Sequence, residues 1–183
     1  MDPIELLLHP VRLRIVHALS GERTLTTAHL HARMPDVSKA TMYRQVSLLF
    51  EGGILEVDHE EPVGGTVERW YRLRRSSAVI PSDAVAAASL DDYRRAFAAA
   101  MAALLGEFNA YLDRGYADPS ADAVGFRQHV LWLNPQERDE LIGEQRKAIV
   151  PWLNNEPAPG RRQHLLSPIL FPIEDEPSQT PSE

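Results

Sequence analysis

Apolar positions in the first part of the chain recur first at helical spacing and then at strand spacing. After His9-Pro10, the residues Val11, Ile15, Ala18 and Leu19 fall on one helical face and stop at Gly21, which predicts a helix over 10–19 with His9 as N-cap. Thr26 is placed to cap a second helix running through Met34, with Ala28, Leu30 and Met34 inward, and Pro35 ends it. A short turn, 35–37, leads to Ser38 as the cap of a third helix that stops at Gly52-Gly53. Stepping 100° per residue along it puts Met42, Val46, Leu49 and Phe50 on one side and Ala40, Thr41, Arg44 and Ser47 on the other. Leu55 and Val57 then alternate with Glu56 and Asp58, residues 62–65 read as a turn, and 67–73 alternates again.

Three helices followed by a hairpin make a winged helix-turn-helix. Beyond Pro81 the pattern changes. Residues 89–114 predict an alanine-rich helix about 39 Å long. On it Phe97, Met101, Leu104, Phe108 and Tyr111 recur at alternating steps of four and three, a heptad-like seam that would serve either as a dimer interface or as the core face of a single domain. Residues 124–133, VGFRQHVLWL, read as a strand. Asn134-Pro135 opens a further helix with Leu141, Ile142, Ala148, Ile149 and Leu153 spaced for burial, and HLLSPILFPI, 164–173, reads as a second strand. The expected fold class is mainly α (α+β): a winged helix-turn-helix domain over 1–80, a dimerisation or effector domain over 81–173 made of the long helix and a strand-helix-strand unit, and a disordered acidic tail over 174–183.

Charge sharpens this division. The whole chain of 183 residues carries a net charge of -7, yet residues 1–75 hold ten Lys/Arg against ten Asp/Glu, so the excess acid lies in the remainder. A nucleic-acid partner is therefore compatible with the first part, with only modest non-specific attraction to phosphate. Cysteine is absent, which excludes disulfides, thiolate metal sites and a cysteine nucleophile. The opening MDPIELLLHPVRLR lacks the basic start and cleavage site of a signal peptide, and the longest apolar run is too short to span a bilayer, so the expected location is cytoplasmic with no membrane partner.

The third helix carries the candidate chemistry. Arg44 on its outward face has the reach to bridge guanine O6 and N7, Thr41 to bond a base edge or phosphate, and Ala40 to touch a thymine methyl; Ser47 shares that face. Ser38 and Lys39 at the helix start are placed for phosphate, and Tyr43 flanks the face towards the backbone. In the hairpin, Arg69 and Arg72 are candidate phosphate contacts, set against the acids Glu60 and Glu61. The aromatic-rich later segment, with Phe126, His129, Trp132, Trp152 and Phe171, is a candidate pocket for a small apolar ligand, although such residues would equally make a plain core. The seven histidines show no ligand spacing, and no catalytic set or glycine phosphate loop is present, so neither metal, cofactor nor enzyme activity is expected.

The blocks HPVRLRIVHALSG, LTTAHLHARM, SKATMYRQVSLLFEGGILEV and ERWYRL, in this order over residues 5–75, resemble the successive blocks of ArsR-like winged-helix transcriptional regulators. The resemblance implies a homodimer that lays the helix from Ser38 in the major groove of double-stranded DNA, acting as a repressor. The cysteine box of the metal-sensing members is missing from that helix. The strand-helix-strand unit is similar to the C-terminal part of some larger members. The competing expectation is a winged-helix protein-protein interaction module that does not bind DNA.

Overall fold

The computed structural model describes residues 3–74 and 88–174. The expected acidic tail, apart from Glu174, and the expected boundary near 80–81 lie outside these ranges. In chain order the elements are α1 Pro3–Leu7, α2 Pro10–Leu19, β1 Leu25–Thr26, α3 Thr27–Arg33, α4 Lys39–Glu51, β2 Leu55–Val63, β3 Thr66–Leu73, α5 Leu90–Leu112 and α6 Pro135–Leu153.

The helix boundaries follow local capping. His9 accepts the Val11 N–H, and the Thr26 hydroxyl accepts the His29 N–H while the His29 ring accepts the Thr26 N–H. Ser38 accepts the Thr41 N–H at the start of α4. Pro10 occupies the first turn of α2, where its missing N–H costs nothing. Three strands form one antiparallel sheet in the order β1-β3-β2. Gly64 and Gly65 turn β2 into β3 with φ of 56° and 84°, the pair of positive values that a tight two-residue hairpin requires.

A single core joins these elements. Leu6, Ile15, Leu19, Leu30, Met34, Met42, Val46, Leu49, Ile54 and Leu55 are buried together, with Tyr71 closing the sheet side. Complete burial of one such side chain contributes about 1.5–3 kcal/mol. The sequence reading is corrected in four places here. Leu6 on the short α1 enters the core, and Leu25-Thr26 pair with Tyr71 and Trp70 as a third strand; both segments are shorter than any periodicity can register. Ala28 faces solvent and Thr27 takes the inward position, sharing a helix face with the buried Leu30 three residues on. Phe50 is 38% exposed and meets Tyr71 edge-on at the rim, while Gln45 fills the buried stripe.

Helix α5 packs on α2 through small residues rather than through the seam. Ala99 and Ala103 are its buried residues, and Gly106 leaves room for Arg14, whose Nη1 would lie 3.0 Å from any added Cβ. Phe97, Met101, Leu104, Phe108 and Tyr111 stay partly or largely accessible on other faces. Residues 124–133 and 164–173 are not strands. Neither forms a helix or a strand, and neither has a β partner among the described residues; β-propensity yields a strand only where an edge is available to pair with. Helix α6 forms behind its Asn134 cap as expected, but Leu141, Ile142, Ala148, Ile149 and Leu153 are not buried and no residue of the helix is.

Candidate nucleic-acid interface

Helix α4 is fixed from behind and open in front. Its Met42, Gln45, Val46 and Leu49 are buried, and these spacings of three and four place them on one stripe against α2 and α3. The opposite face presents Lys39, Ala40, Arg44 and Ser47 to solvent, with Thr41 half-buried beside them. Arg44 has no hydrogen-bond or ion-pair partner among the described residues, so its guanidinium is available. Lys39 lies 6.0 Å from the ring centroid of the half-exposed Tyr43, a cation–π contact that holds both at the flank of the face.

Two hydroxyls expected on this face have local duties. Ser38 donates to Thr41 Oγ1 at 2.8 Å while accepting the Thr41 N–H at 3.2 Å, so its oxygen serves the cap and Thr41 keeps one O–H to donate outward. Ser47 donates to Glu51 Oε1 at 2.8 Å, which turns it towards the end of the helix. The hairpin arginines are held more firmly. Arg69 donates to Glu60 at 2.9 Å, and Arg72 donates to Glu56 at 2.8 Å with Asp58 3.2 Å away. A phosphate would have to compete with carboxylates already in place, so the positive face of the domain is that of α4 rather than of the hairpin.

The helix pair before α4 is anchored by a buried cation that the sequence pattern did not reveal. Arg14, 3% exposed on α2, donates Nη2 to Asp36 Oδ1 at 2.9 Å and Nη1 to its other oxygen at 2.5 Å, with its Nε 3.7 Å from Glu107 on α5. Its hydrogen bond to Asp36 raises the guanidinium pKa, and the same bond holds the Asp36 carboxyl below its usual range. Burial pushes the Glu107 carboxyl up, with Arg14 pulling the other way. Asp36 lies in the turn between α3 and α4, so one side chain ties α2, the turn and α5 together. At the start of α2, burial and then the charges of Arg12 and Arg44 hold His9 below its ordinary value, which keeps the capping nitrogen unprotonated.

The five residues expected to enclose a ligand do not converge. Trp132 is 81% and Trp152 70% exposed, while Phe126 and Phe171 rest edge-on against Phe108 and Phe97 of α5, with ring centroids 5.2 and 6.4 Å apart. His129 is exposed. The concavities that do form lie elsewhere. One of about 640 Å³ lies beside Glu5, Leu8, Arg12, Arg95 and Ala99, and one of about 370 Å³ beside Leu25, His29, Arg33 and Trp70. Trp70 is flanked by two imidazoles, His59 stacked at 5.2 Å and His29 tilted at 5.0 Å, a cluster assembled by cross-strand and helix-sheet packing that linear spacing does not show. Among the described residues no three His, Asp or Glu side chains come together in a way that could hold a metal ion, and no helix is long and apolar enough to cross a membrane.

Residues 7–58, from just before α2 into β2, match the model of a helix-turn-helix domain family. No curated protein matches this sequence. The matched span contains both helices of the motif, the turn with Asp36 and the whole of α4.

Proposed function

We propose that the chain is a sequence-specific DNA-binding transcriptional regulator that works as a homodimer, with α4 as its recognition helix. The observation that carries this reading is the outward face of α4: an unpaired Arg44, an exposed Lys39 and small side chains at Ala40 and Ser47, with no acid before Glu51, set on a helix-turn-helix scaffold. A major groove admits one helix, and a bidentate arginine and small polar groups are what its base edges accept. Ser38, Lys39 and Tyr43 position the helix on phosphate, and Ala40, Thr41, Arg44 and Ser47 face the bases. Arg69 and Arg72 contribute less, being engaged by carboxylates. The chain reads DNA without catalysing a reaction.

The two subunits meet along α5, through Phe97, Met101, Leu104, Phe108 and Tyr111, and repression follows from occupying a promoter. Control by a small apolar molecule would act through the crossing of the two α5 helices, since Arg14 links Glu107 of α5 to Asp36 at the foot of α4. The alternative, a protein-protein module, keeps some support from the acidic hairpin. Selection from a pool of random duplexes, followed by titration of the recovered sequence at several salt concentrations, separates the two. Our reading expects enrichment of a two-fold symmetric site and affinity that falls with salt. No enrichment and no salt-dependent binding would leave the protein-protein module.

A further inference from the structure

We propose that the cavity between α3 and the sheet binds a small aromatic anion, a carboxylate or phosphate monoester on a single ring, with Arg33 holding the charged group. The proposal goes beyond the reading of α4, since it stands whether or not that helix contacts DNA.

The lining of this cavity offers donors and no acid. Arg33, His29 and Trp70 surround it together with Leu25 and Ala32. The Arg33 guanidinium makes no hydrogen bond or ion pair among the described residues, and Arg23 from the turn after α2 and Arg114 beyond the end of α5 add two more positive charges near it. Loss of solvent, followed by the charges of Arg23 and Arg114, holds the Arg33 pKa below its ordinary value. The neighbours are committed elsewhere: Arg23 donates to the neutral Gln163 at 2.8 Å, and Arg114 acts on the carboxyl of Glu107. Arg33 carries the uncommitted charge.

Two further donors belong to the same lining. His29 accepts the Thr26 N–H with Nδ1 at 3.4 Å, so its neutral ring carries the hydrogen on Nε2 and donates away from the cap. The indole Nε1 of Trp70 is buried without an acceptor among the described residues, a cost that an anion seated beside it would relieve. The larger concavity lacks this character, because Glu5 brings a carboxylate to it and Arg95 is already paired with Asp92.

Size and surface set the rest of the ligand. At about 370 Å³ the cavity is near the small end of ligand sites, about 300–1,000 Å³, which suits one ring rather than a nucleotide. Trp70, Leu25 and Ala32 give that ring an aromatic and apolar surface to lie on, and a guanidinium matches the paired oxygens of carboxylate and phosphate alike.

Trp70 itself reports the binding. Trp132→Phe combined with Trp152→Phe removes the other two of the three tryptophans, both largely exposed, and leaves Trp70 as the single emitter. Benzoate and phenyl phosphate are titrated as the anions, with benzyl alcohol as the ring without a charge and inorganic phosphate as the charge without a ring. At least one of the two anions should change Trp70 emission saturably with a dissociation constant below about 1 mM, and the tighter of them separates carboxylate from phosphate. Benzyl alcohol and inorganic phosphate should each bind at least about 10-fold more weakly. Arg33→Gln, at an exposed position, should weaken the anion about 10- to 100-fold with an unchanged melting curve, and Arg33→Lys, which keeps the charge but not the paired donors, should fall between. No saturable change with either anion up to about 10 mM overturns the proposal, as does binding that benzyl alcohol matches or that a folded Arg33→Gln protein retains in full.

Discussion

Residues 3–74 and 88–174 are comparable in length and in supply of apolar side chains, yet they use them differently. In the first, thirteen apolar residues from α1–α4, the sheet and the loops between them are buried in one cluster. In the second, Ala99 and Ala103 are the buried residues, and both are spent against α2 of the first region. Trp132, Trp152, Phe126 and Leu166 remain 69–81% exposed. A compact domain can be read from one chain because its partners lie within that chain. The second region turns its largest side chains outward, and a single copy offers them no core to enter.

The comparison can be broken hardest in the core. Leu49→Ala, at a fully buried position of α4, should cost about 2–5 kcal/mol in denaturant unfolding, whereas Trp152→Ala should change stability by no more than about 0.5 kcal/mol. Equal losses at the two sites would mean that the second region is packed after all. Next in size is the tie between the regions. Arg14→Ala leaves a buried space and strands Glu107, which is largely buried, although Asp36 can be solvated; the expected loss is about 2 kcal/mol, with faster proteolysis in the turn before α4. An unchanged melting curve for Arg14→Ala would show that α5 is held without it.

The smallest expected effect is one of pH. His9 is held below 6.5 by burial and by Arg12 and Arg44, and His17 below it by burial. The folded chain therefore binds fewer protons than the unfolded chain, so this contribution is full above about pH 6.5 and is lost as pH falls through the lower folded values. Thermal melts should show a decline as pH falls below about 6.5 that His9→Asn, which keeps a capping acceptor, reduces. A decline that His9→Asn leaves unaltered would assign it to other groups.

Legibility in the sequence follows the same division. The caps His9, Thr26 and Ser38, the stripe of Met42, Val46 and Leu49, and the outward position of Arg44 were readable because each depends on neighbours within a turn or two of helix. Arg14 was not, since its partners Asp36 and Glu107 are far away in sequence and a lone arginine on an apolar face looks like any surface cation. The strand β1 was missed because two residues carry no period. Residues 124–133 and 164–173 have the composition of strands but lack an edge to pair with, and composition cannot supply one. The spacing of Phe97, Met101, Leu104, Phe108 and Tyr111 is legible, but the contact of α5 with α2 is not, because alanines and Gly106 make that contact and small residues leave no apolar signature.

The central claim is that the open face of α4 reads base pairs, and Arg44 tests it most directly. Fluorescence anisotropy of the selected duplex, titrated with the unaltered protein, Arg44→Ala and Lys39→Ala, compares base reading with phosphate positioning. The account expects Arg44→Ala to lose about 1–3 kcal/mol, or about 5- to 150-fold in affinity, on the selected site and to relax preference at one base pair. It expects Lys39→Ala to weaken selected and scrambled duplexes alike and to lower the salt slope by about 1. A folded Arg44→Ala protein that binds the selected duplex with undiminished affinity and preference would contradict it.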